Sequence, residues 1–256
     1  MVIMIKCFKV ITLKKINVLD VPINNITMSQ AVEFAEDVLQ KDAKNTLVFT
    51  PNPEIVYIAH KDSGFREVLK EADLLLPDGI GVVKASEKLG TPLTSRVAGY
   101  DFLLELLKIA DKHHLRVFLL GGKPSVADRA AKSISAQYSG INICGTQDGY
   151  FDDTNNHEVI QKINEAAPDI LVVCLGAPKQ ETWLVKNSDA LQFRLAIGAG
   201  GAIDVISGDV RRAPKFIQRI HLEWLYRALC DPKRIPRLLV LPKFKRAVKK
   251  QAKKNN

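Results

Sequence analysis

The chain has 256 residues, 46% of them hydrophobic, which suits one large α/β domain or a domain with an appendage and excludes a globally disordered chain. Its net charge of +9 is uneven, because residues 211–256 hold 15 basic side chains and two acids while residues 1–210 sum to −4. Four scattered cysteines without a C-x-x-C pair argue against a zinc site or a disulfide framework and suit a reducing cytosol, and no run reaches the roughly 18–20 apolar residues of a spanning helix.

Taken in chain order, MVIMIKCFKVITLKK is apolar but broken by Lys6 and Lys9. It is expected to be a leading strand or an irregular arm, not a signal peptide. NVLDVPI (17–23) predicts a strand, and TMSQAVEFAEDVLQ predicts a helix opened by a Thr27-x-x-Gln30 capping box. TLVFT (46–50) is the next strand, followed by helical patterns in PNPEIVYIAHKD and FREVLKEA. DLLL (73–76), RVFLLGG (116–122), INICG (141–145), DILVVCLG (169–176) and RLAIGAG (194–200) are further strands. Helical patterns lie between them, most clearly in YDFLLELLKIADKHH, PSVADRAAKSISAQY and the stretch from Lys179. Continuous apolar strands alternating with helices predict a Rossmann-like α/β fold: a parallel sheet with helices on both faces. We divide the chain into a Rossmann-like body, 1–210, and a basic C-terminal appendage, 211–256. Within the appendage, APKFIQRIHLEWLYRALCD predicts a helix with Phe216, Ile217, Ile220, Trp224, Leu225 and Ala228 on one side, a stripe expected to pack on the body.

Ligands of an open parallel sheet bind beyond the carboxyl ends of its strands. Five strand-to-helix loops should meet on that edge: FTPNPE, LPDGIG, LLGGKPS, CLGAPKQE and IGAGGAID. The glycines of LLGGKPS and GAGG suit either phosphate binding or tight turns, and spacing does not choose between them. Lys179 and Gln180 open a helix, where a cation opposes the helix dipole and favours a ligand-facing role. Asn52 is equally a turn-former or a ligand contact. Asp78, a lone acid after a buried strand and before Gly79, is either a general base on a hydroxyl or the N-cap of the helix that follows. Arg227, Arg234 and Arg237 suit diphosphate oxygens or a solvated basic face, with Pro232 and Pro236 interrupting their spacing. No metal site is expected, since no D-x-D occurs and the histidines are scattered. The tail has few aromatics for stacking bases, so no nucleic-acid partner is expected.

Taken together, TPNPEIV (50–56), LLLPDGIGVV (74–83), RVAGYD (96–101), FLLGG (118–122), DGYF (148–151), LGAPKQE (175–181), GAGGAIDVISGDVRRAP (198–214) and LEWLYRALCDPKRIPR (222–237) resemble the WecG/TagA/CpsF family of glycosyltransferases. The resemblance implies an inverting, metal-independent enzyme without a cofactor. Such an enzyme moves N-acetylmannosamine or a related sugar from UDP to the 4-hydroxyl of GlcNAc on undecaprenyl diphosphate, in teichoic acid or surface-polysaccharide synthesis. It implies Asp78 as general base, Thr50 and Asn52 on sugar or acceptor, Gln180 at the donor site, and Arg227, Arg234 and Arg237 on the diphosphate. Ala199 stands where valine is common in the family. A lipid-linked acceptor makes an anionic membrane surface an expected partner, with the protein peripheral on the inner face of the cell membrane and the basic appendage docking there. Whether the chain forms a homo-oligomer stays open. The alternative activity is a nucleotide-dependent oxidoreductase, although no G-x-G-x-x-G follows the first strand.

Overall fold

A computed structural model describes residues 14–41, 45–220, 222–230 and 238–255. The expected N-terminal strand or arm lies outside the described residues except for Lys14 and Lys15, and Arg234 and Arg237 lie outside them altogether.

The segment expected as one strand at 17–23 is instead a hairpin, β1 (Lys15–Val18) and β2 (Val21–Asn24), paired antiparallel. Leu19 and Asp20 both take positive φ, the geometry that a two-residue hairpin turn requires and that sequence alternation does not signal here. Helix α1 (Met28–Gln40) follows, with Thr27 and Gln30 forming the expected capping box. The parallel sheet then builds from β3 (Thr46–Phe49), β4 (Leu74–Leu75), β5 (Arg116–Gly121), β6 (Asn142–Gln147), β7 (Ile170–Cys174) and β8 (Leu195–Gly198). Its order is β4-β3-β8-β7-β5-β6, with every neighbouring pair parallel.

Alternation along these strands sends side chains into two cores. Leu47, Phe49, Phe118, Leu120, Leu171 and Val173 face one side. There they meet the hairpin and helices α2 (Pro53–Lys61), α3 (Ser63–Lys70), α4 (Ile80–Lys88), α7 (Asn156–Ala166) and α8 (Lys179–Asn187). Val48, Val117, Leu119, Ile170, Val172 and Ile197 face the other side. That side is covered by α1, α5 (Gly99–Lys112), α6 (Val126–Gln137) and α9 (Ala202–Ile206). Both faces of the central strands are therefore covered, and the sheet opens to ligands at its strand ends.

The appendage holds α10 (Lys215–Arg219), α11 (Glu223–Cys230) and α12 (Val240–Asn255). The expectation of one apolar stripe packed on the body is overturned. Phe216 is 65% and Ile220 58% exposed, and Trp224 is also exposed, whereas Ala228 is buried. The cause is the division into two short helices, which ends the common helical phase that the stripe assumed. The final helix behaves oppositely. Phe244 and Val248 of α12 are buried in the first core, and the Gln251 side chain accepts a hydrogen bond from the Leu19 N–H at 3.2 Å. Its Lys and Arg residues, including Lys245, Lys249 and Lys253, face outward.

Phe244→Ala should lower unfolding free energy by about 3 kcal/mol, the usual cost of emptying an aromatic's core seat. Urea unfolding checks this; a loss below about 0.5 kcal/mol would mean that α12 contributes little to the body.

Candidate active site

All five expected loops do leave the carboxyl ends of parallel strands, from β3, β4, β5, β7 and β8, and so share one edge of the sheet. The Asp78 loop is held from several sides. Buried Asn24 of β2 accepts the Leu75 N–H at 2.8 Å, tying the hairpin to β4. Beyond β4, the Leu76 N–H still bonds to the Phe49 carbonyl at 2.8 Å, and the Val97 N–H donates to the Pro77 carbonyl at 3.0 Å. The Asp78 N–H turns back to the Leu76 carbonyl at 2.8 Å. Gly79, at φ +80°, is the N-cap of α4, so Asp78 does not occupy the cap position expected of it in the capping alternative. A Cβ at Gly79 would also sit 3.2 Å from Pro53 Cδ, so glycine serves both the conformation and the close approach.

Asp78 belongs to a line of charges. Arg96 Nε lies 3.9 Å from Asp78 Oδ1, and Arg96 Nη2 donates to Glu223 Oε2 of α11 at 3.2 Å. Glu223 Oε1 is 3.6 Å from Arg212 Nε, and Arg212 pairs with Asp101 and stacks 4.4 Å above the Tyr100 ring. Asp78, Arg96, Glu223 and Arg212 are all between 17% and 26% exposed, which limits solvent screening along the line.

Thr50 stands beside this line at the end of β3. Its hydroxyl donates to the Gly198 carbonyl at 3.3 Å, and a Cβ on Gly99 would come within 2.8 Å of its methyl carbon. Glycine there lets the first turn of α5 reach the β3 end. Asn52 caps α2, its side-chain oxygen accepting from the Glu54 and Ile55 N–H groups at 2.9 and 3.0 Å. Gln180 is buried under the GAGG loop, where its oxygen accepts the Gly200 N–H at 3.0 Å and its nitrogen donates to Glu181 at 2.8 Å. Lys179 is exposed, with Nζ 3.4 Å from the Gly149 carbonyl and 5.1 Å from the Phe151 ring centre. Arg227 lies within α11.

A cleft of about 320 Å³ opens between the ends of β5 and β7, lined by Gly122, Lys123, Gly149, Tyr150, Leu175 and Asp204. The chain runs outward from β5 to β6 but inward from β7 to β8, so the cleft occupies a topological switch point. Asp78 lies on the same edge beyond β4, three strand positions from β7, or roughly 14 Å at ordinary strand spacing. Among the described residues no group of three or more His, Cys, Asp or Glu side chains is placed to hold a metal.

Residue types and spacing gave no role to Arg96, Glu223 or Glu181. Arg96 did carry a signal, as a lone arginine in RVAGYD, but its partner Glu223 is 127 positions away. Glu181 is fully buried in the first turn of α8, one carboxylate oxygen lacks a hydrogen-bond partner, and burial pushes the carboxyl up to about 6.

Residues 16–256 match the family described as "Glycosyl transferase WecG/TagA/CpsF family". The chain belongs to this family. Several WecG/TagA/CpsF relatives carry the name N-acetylglucosaminyldiphosphoundecaprenol N-acetyl-beta-D-mannosaminyltransferase. That of Bacillus spizizenii is 41% identical over 237 residues, 93% of this chain and 91% of its own length. That of Bacillus subtilis is 38% identical over 234 residues, 91% of each chain. A Staphylococcus aureus protein of the same name is 36% identical over 241 residues, 94% of each. The oxidoreductase alternative gains no support from this membership.

Glu181 makes stability depend on pH. Below about pH 4.5 its carboxyl is neutral in both folded and unfolded chains. Between there and about pH 6 the folded chain keeps a proton that the unfolded chain releases, so this group's stabilisation is lost as pH rises, by about 2 kcal/mol in all. Glu181→Gln should remove that loss. Urea titrations at pH 4 and pH 8 test it, and identical pH slopes in variant and wild type would contradict the assignment.

Proposed function

We propose that this protein transfers N-acetylmannosamine from UDP to the 4-hydroxyl of GlcNAc in GlcNAc-diphospho-undecaprenol, inverting the anomeric centre without a metal. The observation that carries the reading is Asp78, a carboxylate pinned at the ligand edge beside Arg96 while Gly79 takes the cap. The names of the relatives support the donor sugar and the lipid-linked acceptor.

Asp78 removes the proton of the acceptor hydroxyl as its oxygen bonds to the anomeric carbon. The bond from that carbon to the diphosphate breaks on the opposite face, and UDP leaves with the electron pair, so a single displacement inverts the centre. The nucleotide sits in the switch-point cleft, where Lys123 and the backbone of Gly122 can meet anionic oxygens. Gln180 shapes the donor site by holding the Gly200 N–H, and Thr50 and Asn52 contact the sugar or the acceptor near Asp78. Arg227, Arg234 and Arg237 of the appendage supply positive charge to the leaving diphosphate, the stabilisation that a metal gives elsewhere.

The division into a catalytic body, 1–210, and an appendage, 211–256, belongs to this reading. The lipid acceptor brings the protein to the inner face of the membrane as a peripheral protein; among the described residues no helix is long and apolar enough to cross one. Contact uses the exposed Phe216, Ile220 and Trp224 together with the outward cations of α12.

With UDP-N-acetylmannosamine and a lipid-diphosphate GlcNAc acceptor the protein should release UDP, and chelation by EDTA should leave the rate unchanged. Asp78→Asn should lower kcat by about 10²–10⁴-fold with UDP affinity nearly intact. Full turnover in that variant would remove the base assignment. Flotation with phosphatidylglycerol liposomes tests the membrane role: Phe216→Ser with Trp224→Ser should abolish binding, and unaltered flotation would refute the contact surface.

A further inference from the structure

We infer that Glu223, in the first turn of α11, is a positioning residue that sets the basicity of Asp78 through Arg96. The inference rests on the reading of Asp78 as the base, and it assigns the appendage a task distinct from binding diphosphate or membrane.

The geometry is a shared cation. Arg96 stands between two carboxylates, with Nη2 3.2 Å from Glu223 and Nε 3.9 Å from Asp78. The shorter, hydrogen-bonded contact belongs to Glu223, so the guanidinium is drawn toward the appendage and turns its flank to Asp78. A carboxylate loses basicity when a cation pairs with it fully, because the cation favours the charged form. A competing carboxylate on the same cation restores it. Arg212, beyond Glu223, acts with the opposite sign by holding part of the Glu223 charge at 3.6 Å. The charged groups joined to this line from the surrounding elements include Arg96 before α5, Asp101 in α5, Arg212 before α10 and Glu223 in α11. The seating of α11 thus raises the proton affinity of Asp78.

The test follows the ionisation of Asp78 in the full-length protein in two ways. Carbon-13 NMR titration reads its carboxyl signal, assigned by its loss in Asp78→Asn, and the acid limb of the kcat profile reads its catalytic use. Glu223→Gln should move both midpoints down by about one pH unit, the lower end of what an adjacent opposite charge exerts. The plateau rate should fall about threefold as the base weakens. Arg212→Gln should move both midpoints up, and Glu223→Asp, which keeps the charge, should return them toward wild type. A merely structural role for Glu223 would change rate or stability without opposite midpoint shifts in the two variants. Unmoved NMR midpoints in both variants would overturn the inference while leaving the base assignment intact. Moved NMR midpoints with an unmoved kcat limb would show that Asp78 is not the base, and the inference would fall with that assignment.

Discussion

A carboxylate at the end of a buried strand needs a cation, and in this chain one guanidinium serves two carboxylates. Arg96 lies within 4 Å of both Asp78 on the body and Glu223 on the appendage. Partly buried charges lose hydration, so each member of such a line is costly unless its neighbours stay in place. That requirement explains why so much backbone is committed nearby. Asn24 completes the β4 ladder from a separate hairpin, and the Val97 N–H clamps the Pro77 carbonyl. Gly99 admits α5 against Thr50. The loop that presents Asp78 is consequently tied to its neighbours at several points.

The same edge of the sheet divides its tasks by strand position. The switch-point cleft between β5 and β7 offers glycine backbone and Lys123, which suit a nucleotide. The β3 and β4 ends offer Thr50, Asn52 and Asp78, which suit hydroxyl chemistry. Between them the GAGG loop is braced from beneath by Gln180, itself bonded to the buried Glu181. A polar pair sealed under a glycine loop gives that loop a definite shape.

The appendage combines opposite surface properties. Phe244 and Val248 lock α12 onto the body, leaving its cations outside, while α10 and α11 hold aromatic and aliphatic side chains in solvent. Exposed large apolar groups beside dense positive charge carry a cost in water that contact with an anionic interface would relieve. The appendage therefore joins the body in two ways: through Arg212 and Glu223 by charge and through α12 by apolar packing.

Much of this was readable from the chain because it is written in local periodicity. Continuous apolar runs separated by helical patterns specify a parallel sheet covered on both sides, and strand polarity then places every βα loop, and Asp78 with them, on one edge. The Thr27–Gln30 cap was equally local. What local pattern does not contain is contact between distant segments. The hairpin at Leu19–Asp20 depended on two positive φ angles that apolar alternation does not encode, and the broken phase between α10 and α11 exposed residues that a single helix would have buried. The cap at Gly79, the burial of Glu181 and the pairing of Arg96 with Glu223 across 127 positions were decided only by tertiary structure. The physical reason is that charge pairing and desolvation depend on distance in space, which sequence separation does not measure.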